Sequence, residues 1–380
     1  MVRGCASFRV GFALLLSCLG EWGCAAEHVI GSMGFGKPHK QTIAKADQLA
    51  VGDFDGDGHG DLVTQAKDGV SSCFYRGTED GAFSPGPCQP FPEQGEAIFG
   101  HKPASGPAKL LRGNHELAVY GLDGTGVFQK EHGQLLNRRA SESSFFSLDL
   151  DQDGLADLVV GEHPPYQIEL FLSSPSKPGD FSRGGVYPVS TGVRSVVYRD
   201  LNGDNQPELA VLVPPFLEIW TPKGIADFPE NAGEARFSGP RGLWPVQHFR
   251  NGLPALLIFD SAGFYVAIVE VVQKAGLAYR FHEHIVLPAL PTEPSTDWKQ
   301  ATADFDGDGE QELVLASPMG VLSLFRARDG QISKVAETRM DSPVQNLFVA
   351  DLNQDSFPEL LALSASGDAV WVFPNVFAMR

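Results

Sequence analysis

Five segments of this chain repeat one acidic pattern, and the spacing between them constrains the fold more than any other feature. They are Asp53-Phe-Asp-Gly-Asp-Gly-His-Gly-Asp61, Asp149-Leu-Asp-Gln-Asp-Gly-Leu-Ala-Asp157, Asp200-Leu-Asn-Gly-Asp-Asn-Gln-Pro-Glu208, Asp304-Phe-Asp-Gly-Asp-Gly-Glu-Gln-Glu312 and Asp351-Leu-Asn-Gln-Asp-Ser-Phe-Pro-Glu359. A leucine follows each of them, and then an apolar run. The starts are separated by 96, 51, 104 and 47 residues, so two intervals are single periods and two are double. Each double interval should hide a copy that has lost its acidic residues. Lys109–Tyr120 and Val246–Phe259 fit that place, with Gly113-Asn114 and Asn251-Gly252 expected to replace the acidic loop by a tight turn.

Five visible and two degenerate units of about 50 residues match the period of propeller repeats. The expected fold is therefore all-β, a seven-bladed β-propeller of four-stranded blades, with degenerate blades near 107–138 and 243–288. In the first unit strands are expected at 48–54, 62–66, 70–76 and 82–91. Runs such as Leu158-Val-Val160, Leu209–Leu212 and Leu313–Ala316 suit strands covered on both faces. The last unit shows three strands, near 344–351, 359–363 and 369–373. A spare strand at 39–46 is expected to dock as its fourth, closing the ring and covering an open edge.

The Asp-x-Asp-x-Asp-Gly-x-x-Asp-Leu pattern resembles the FG-GAP/VCBS-type repeats, including those of the integrin alpha-chain propeller, over about residues 38–374. The resemblance implies a seven-bladed propeller with calcium in the blade hairpins. It does not specify a ligand, because the repeat serves adhesion proteins, lectins and polysaccharide-degrading enzymes alike. The Phe-Gly and Gly-Ala-Pro signatures of integrins are nearly absent, Phe35-Gly36 being an isolated dipeptide.

The residues point to calcium independently. Calcium takes six to eight oxygen ligands in flexible geometry. Positions 1, 3 and 5 place three carboxylate or amide oxygens inside a tight loop: Asp53, Asp55 and Asp57; Asp149, Asp151 and Asp153; Asp200, Asn202 and Asp204; Asp304, Asp306 and Asp308; Asp351, Asn353 and Asp355. Position 7 (His59, Leu155, Gln206, Glu310, Phe357) offers a backbone carbonyl, and position 9 (Asp61, Asp157, Glu208, Glu312, Glu359) a further carboxylate. Glycine at position 6 (Gly58, Gly154, Gly309) permits the bend. A hard oxygen set without cysteine or a consistent histidine argues against zinc. An EF-hand would need glutamate at position 12, where Thr64, Val160, Val211, Leu315 and Ala362 stand. Up to five calcium ions are expected. Loops 53–61, 149–157 and 304–312 should bind more tightly than 200–208 and 351–359, which have fewer charges and lack glycine at the bend.

Positions 1, 3, 5 and 9 alone hold 18 carboxylates, against a net charge of −18 for the whole chain. The acidity is thus ligand charge, and with no basic patch a nucleic-acid partner is not expected. Residues 1–26 read as an export signal: Arg3 and Arg9, an apolar stretch Val10–Leu19 too short to span a bilayer, and Cys24-Ala25-Ala26 at the cleavage site. A lipobox at Leu15–Cys18, anchoring the chain through Cys18, is the rival reading. Residues 27–380 would form the single propeller, secreted, periplasmic or on the cell surface. Outside the signal only Cys73 and Cys88 remain, which suits one disulfide in an oxidising compartment.

No nucleophile elbow or phosphate loop is present. The expected function is a monomeric, non-catalytic binding or scaffold module for a protein or glycan ligand. The rival is a carbohydrate-active enzyme, such as a polysaccharide lyase, with its site at the channel mouth. His282-Glu283-His284 puts two histidines on one strand face, for a metal or a substrate if not for solvent. Trp220, Trp244, Trp298 and Trp371 would stack on sugars if exposed, although Trp371 in Ala-Val-Trp-Val-Phe reads as blade core. The Pro/Gly-rich stretches 93–107, 222–239 and 287–297 are the expected binding insertions.

Overall fold

A computed structural model describes residues 36–374 except 93–94, 96, 104, 114–115, 137–141, 165, 178, 202–204, 222–229, 237–239, 251–252, 261–264, 273–277 and 287–297. Residues 1–26, read as an export signal or a lipobox, lie outside the described residues, as does the stretch 287–297 expected as an insertion.

The chain is all-β. After β1 (His39–Thr42) come β2 (Gln48–Gly52), β3 (Asp61–Gln65), β4 (Ser71–Gly77) and β5 (Phe83–Pro90). Next are β6 (Ala97–His101), β7 (Lys109–Gly113), β8 (Glu116–Leu122) and β9 (Phe128–Leu135), then β10 (Glu142–Leu148), β11 (Asp157–His163), β12 (Gln167–Ser173) and β13 (Phe181–Pro188). They are followed by β14 (Ser195–Arg199), β15 (Glu208–Val213), β16 (Phe216–Thr221) and β17 (Glu230–Arg236), and by β18 (Pro240–Arg250), β19 (Leu253–Asp260), β20 (Tyr265–Val272) and β21 (Ala278–Val286). The last are β22 (Lys299–Ala303), β23 (Glu312–Ala316), β24 (Val321–Arg328), β25 (Gln331–Arg339), β26 (Val344–Ala350), β27 (Glu359–Ser364) and β28 (Ala369–Phe373).

Among the described residues these strands form four-stranded antiparallel sheets in chain order, β2–β5, β6–β9, β10–β13, β14–β17, β18–β21 and β22–β25, with a further sheet ordered β1-β28-β27-β26. This is the blade architecture of a β-propeller. The second strand of each blade is sealed on both faces, as its apolar run requires: Leu158, Val159 and Val160 on β11 and Leu313, Val314 and Leu315 on β23 are wholly buried. The core lies between blades. Val63, Phe74 and Ala50 of the first blade interlock with Leu110, Tyr120 and Phe128 of the second. Val159, Ile168 and Leu170 pack in the same way on Leu209, Val211 and Trp220.

Three expectations are corrected. Gly113 ends β7, and residue 114 follows it in the second hairpin of its blade, between β7 and β8. What takes the place of the acidic loop there is 102–108, between β6 and β7, with Lys109 where the five blades with acidic loops have a carboxylate. Without acidic residues that loop carries no signature, and the neighbouring turn was the visible one. In the other degenerate blade Arg250 pairs with Leu253, and the expected turn residues 251–252 lie outside the described residues. Finally, two of the stretches expected as insertions contain strands: β6 lies within 93–107 and β17 within 222–239.

Cys73 on β4 and Cys88 on β5 stand directly opposite, with Cα atoms 4.0 Å apart, and are disulfide-bonded. The link ties the third strand of the first blade to its outer strand, as the two cysteines suggested. Closing a loop of this length contributes about 3 kcal/mol in the chain-entropy model. Reduction should therefore lower the stability of this blade by roughly that amount in a urea titration. An unchanged transition midpoint would contradict it.

Candidate metal loops

Each acidic segment joins the first and second strands of its blade, so all five lie at the same end of their sheets. Position 9 is the first residue of the second strand and is buried: Asp61 is 0% exposed, Asp157, Glu208 and Glu312 are 1% and Glu359 is 5%. A buried carboxylate must be hydrogen-bonded. Each accepts the backbone N–H of position 2, Phe54, Leu150, Leu201, Phe305 or Leu352, at 2.8–2.9 Å. In two blades the second oxygen reaches the third strand as well, Gly77 N donating to Asp61 at 2.8 Å and Ser173 N to Asp157 at 2.7 Å.

The remaining carboxylates shape the loop by a relay. Position 1 curls over the turn, so that Asp53 accepts from Gly56 N (2.7 Å) and Gly58 N (3.1 Å) and Asp304 from Gly307 N (2.7 Å) and Gly309 N (2.9 Å). Position 3 accepts from the N–H of position 5, and position 5 from that of position 7, in loops 53–61, 149–157, 304–312 and 351–359. These bonds use one oxygen, Oδ1, and in loops 53–61, 149–157 and 304–312 leave Oδ2 of positions 3 and 5 outside the relay, whereas in loop 351–359 Asn353 Nδ2 donates to Asp355 Oδ2 at 3.0 Å. Position 6 has left-handed backbone throughout, at Gly58, Gly154, Asn205, Gly309 and Ser356. Position 4 does too, at Gly56, Gly307 and, without glycine, Gln152 and Gln354, a strain that the sequence reading did not foresee.

Carboxylate oxygens converge to within 4.8 Å of one another in three groups: Asp53, Asp55 and Asp57; Asp149, Asp151 and Asp157; Asp304, Asp306 and Asp308. Asp61, Asp153, Glu310 and Glu312 are outside these groups. In loop 200–208 positions 202–204 lie outside the described residues, while Asp200 accepts from Asn205 N at 2.8 Å. Position 7 side chains vary in role. His59 Nδ1 is buried, and the Phe357 ring covers Gly307 of the neighbouring loop.

Burial and neighbouring carboxylates raise the pKa of Asp55, while for Asp151 burial leads. Burial pushes Asp61 and Asp157 up to about 6 and Glu359 up to about 7. Asp55 Oδ2 is buried without an aligned hydrogen bond, although Arg76 Nε stands 2.7 Å away. Desolvated, crowded oxygens with no sulfur or nitrogen donor in common fit a hard divalent cation such as calcium.

The other candidates fare differently. Trp220, Trp244, Trp298 and Trp371 are all buried, at 6%, 1%, 5% and 6% exposure. Trp244 Nε1 donates to Gln311 O at 2.6 Å, and Lys40 lies over the Trp371 ring at 4.8 Å. The sugar-platform reading is thereby overturned, since these indoles fill the spaces between blades. His282 and His284 fall on β21, with their side chains outside the described residues.

Asp157 offers a clean test of the relay. Asp157→Ala leaves Leu150 N and Ser173 N without their acceptor in a buried site, at about 1–3 kcal/mol each. A loss of roughly 2–5 kcal/mol is expected by urea denaturation in chelator, with Asp157→Asn milder because one carbonyl oxygen remains. An alanine variant of unchanged stability would rule out the anchoring role.

Four-stranded blades with acidic hairpins at one end make up a β-propeller arrangement. FG-GAP-like repeats match at residues 149–211 and 304–362, which include four of the five acidic loops. No curated protein matches the sequence. Among solved structures the chain is similar to BBS1N in its complex with ARL6DN, at 13% identity and a TM-score of 0.60, covering 89% of this chain and 95% of that one. It is also similar to Saccharomyces cerevisiae Sqt1, at 12% identity and 0.53, covering 86% and 84%, and to a putative 6-phosphogluconolactonase from Bacteroides fragilis, at 12% and 0.51, covering 74% and 82%. At such identities the likeness is one of fold. Among the described residues no helix is long and apolar enough to cross a membrane.

Proposed function

We propose that this protein is an exported, calcium-stiffened, seven-bladed propeller that serves as a non-catalytic scaffold for a protein partner. Closure of the ring is supported by the last sheet, where β1 pairs antiparallel with β28, His39 opposite Val372 and Thr42 opposite Ala369. It is supported too by the packing of Leu361, Val370 and Val372 against Leu49, Leu62 and Tyr75 of the first blade. The observation that carries the choice of ligand is the burial of Trp220, Trp244, Trp298 and Trp371, which withdraws these four indoles as sugar-stacking platforms. A similar propeller, BBS1N, is seen in complex with a protein, ARL6DN. The converging carboxylates support calcium as the stiffening ion, with the position 1 and 3 side chains and either position 5 or, in loop 149–157, position 9 as its holders and backbone carbonyls of position 7 completing the shell.

Export rests on residues 1–26, and sequencing the N-terminus of the secreted chain should find a start at Glu27. A glycan and polysaccharide array in calcium buffer, read for both retention and cleavage, tests the rest. No retention and no cleavage are expected. Release of oligosaccharides would establish a carbohydrate-active enzyme instead, and retention without cleavage a lectin.

A further inference from the structure

The three loops with four carboxylates at positions 1, 3, 5 and 9 look equivalent in sequence, and the third strand of each blade makes them different. The residue one step past the Leu313–Phe325 pair, opposite Glu312, is Arg326. The same place holds Arg76 in the first blade, Leu172 in the third, Thr221 in the fourth and Pro374 in the last. Arg326 turns into the loop. Its Nε donates to Glu312 Oε1 at 3.1 Å and its Nη2 to Asp306 Oδ2. All three side chains are enclosed, at 10%, 1% and 8% exposure. Arg76 makes the looser version, with Nε 2.7 Å from Asp55 Oδ2 and a side chain 58% exposed.

The oxygen that Arg326 holds is the one a metal would need. Asp306 Oδ1 already accepts the N–H of Asp308, so Oδ2 is the oxygen that the backbone relay leaves for a cation. A guanidinium there satisfies both position 3 and position 9 and adds a full positive charge beside any incoming divalent ion. Because the pair is buried and multiply hydrogen-bonded, pulling it apart would leave uncompensated charge inside the blade. Loop 149–157 has Leu172 at that place, with no charge to offer.

We propose that Arg326 is the resident cation of loop 304–312, holding that loop closed without calcium, so that metal loads loop 149–157 and is kept out of 304–312. Arg76 weakens loading of 53–61 without abolishing it, because an exposed side chain with one contact can swing away. The metal-count arm of the test rests on the calcium reading above; the stability arm does not.

The test uses the full exported chain and calcium itself, counted by calorimetric titration and native mass spectrometry. Arg326→Leu should bind one more calcium than the wild type. Leu172→Arg, which places a guanidinium at loop 149–157, should bind one fewer. Unchanged stoichiometry in both variants overturns the proposal. If no variant binds calcium, the calcium reading falls and the stability arm decides. In chelator, Arg326→Leu and Asp306→Asn should be coupled about tenfold in the unfolding equilibrium constant, measured through the double variant. Should Arg326→Leu fail to fold, Arg326→Gln enters the cycle in its place. Additive effects would overturn the resident-cation role whatever the metal does.

Discussion

Complete removal of calcium should lower the melting temperature of this protein by roughly 10 °C or more. A single site filled at a hundred times its dissociation constant contributes about 2.7 kcal/mol by mass action. Each kcal/mol moves the midpoint by about 2–4 °C in a large domain, and several loops contribute together. The physical source is the convergence of Asp149, Asp151 and Asp157, and of Asp53, Asp55 and Asp57, whose oxygens crowd within 4.8 Å and repel one another when no cation is held. Asp151→Ala should remove more of the calcium-dependent part than Asn353→Ala, since the first takes a charge from a four-carboxylate site. Calorimetry with and without chelator decides both points. An unchanged midpoint after chelation would rule out the structural role of the metal, and an equal loss in the two variants would rule out the ranking.

The same loops set the direction of the pH response. Asp61 and Asp157, at about 6, and Glu359, at about 7, titrate above the ordinary range near 4 because burial penalises their charged forms. A folded pKa above the unfolded one means a stability contribution that is complete below about pH 4 and is lost as the pH rises through 6 to 7. Calcium needs the ionised forms and opposes that loss. The gap between the calcium-loaded and chelated midpoints should therefore widen from pH 5 to pH 8. A gap that narrows over this window would show that these carboxylates are not coupled to the metal.

Much of the architecture was legible because the acidic repeat falls at a fixed place in the blade, the hairpin between its first and second strands. Leu158-Val-Val160 could be read as doubly covered because no polar residue interrupts it. In the second blade, where the acidic residues are missing, the reading slipped by one hairpin, to Gly113-Asn114, since a loop such as 102–108, without carboxylates, has no pattern of its own. Position 9 was read as a metal ligand. In the structure it is first of all an anchor for backbone N–H groups, and Asp157 alone joins a converging group. The arginines were out of reach for another reason. Arg326 is 14 residues from Glu312, and only the register of β23 on β24 brings them together. One sequence shows side-chain periodicity within a strand and says nothing about register between strands.

Removing residues 27–46 should make the protein aggregate. These residues include β1, which covers Ala369-Val370-Trp371-Val372-Phe373, a strand buried at every position. The segment is tied on three sides. Ile43 N and Ala46 N donate to Asp368 O and Gly367 O in the last blade, at 3.0 and 2.8 Å. Ala44 N donates to Tyr75 Oη of the first blade at 2.5 Å, and Lys40 pairs with Asp341 at 3.1 Å. Ile43 and Ala46 are themselves buried, in the core shared by the first and last blades. Deletion would therefore open that seam and present β28 as an apolar, uncharged edge, the kind of strand that pairs with another copy. Light scattering and size-exclusion chromatography should show multimers of the truncated chain, with a lowered melting temperature. A synthetic peptide of residues 36–46 added in trans should suppress that association by re-forming the β1–β28 ladder. A truncated chain that stays monomeric with the full-length midpoint would mean that the first strand does not hold the ring shut.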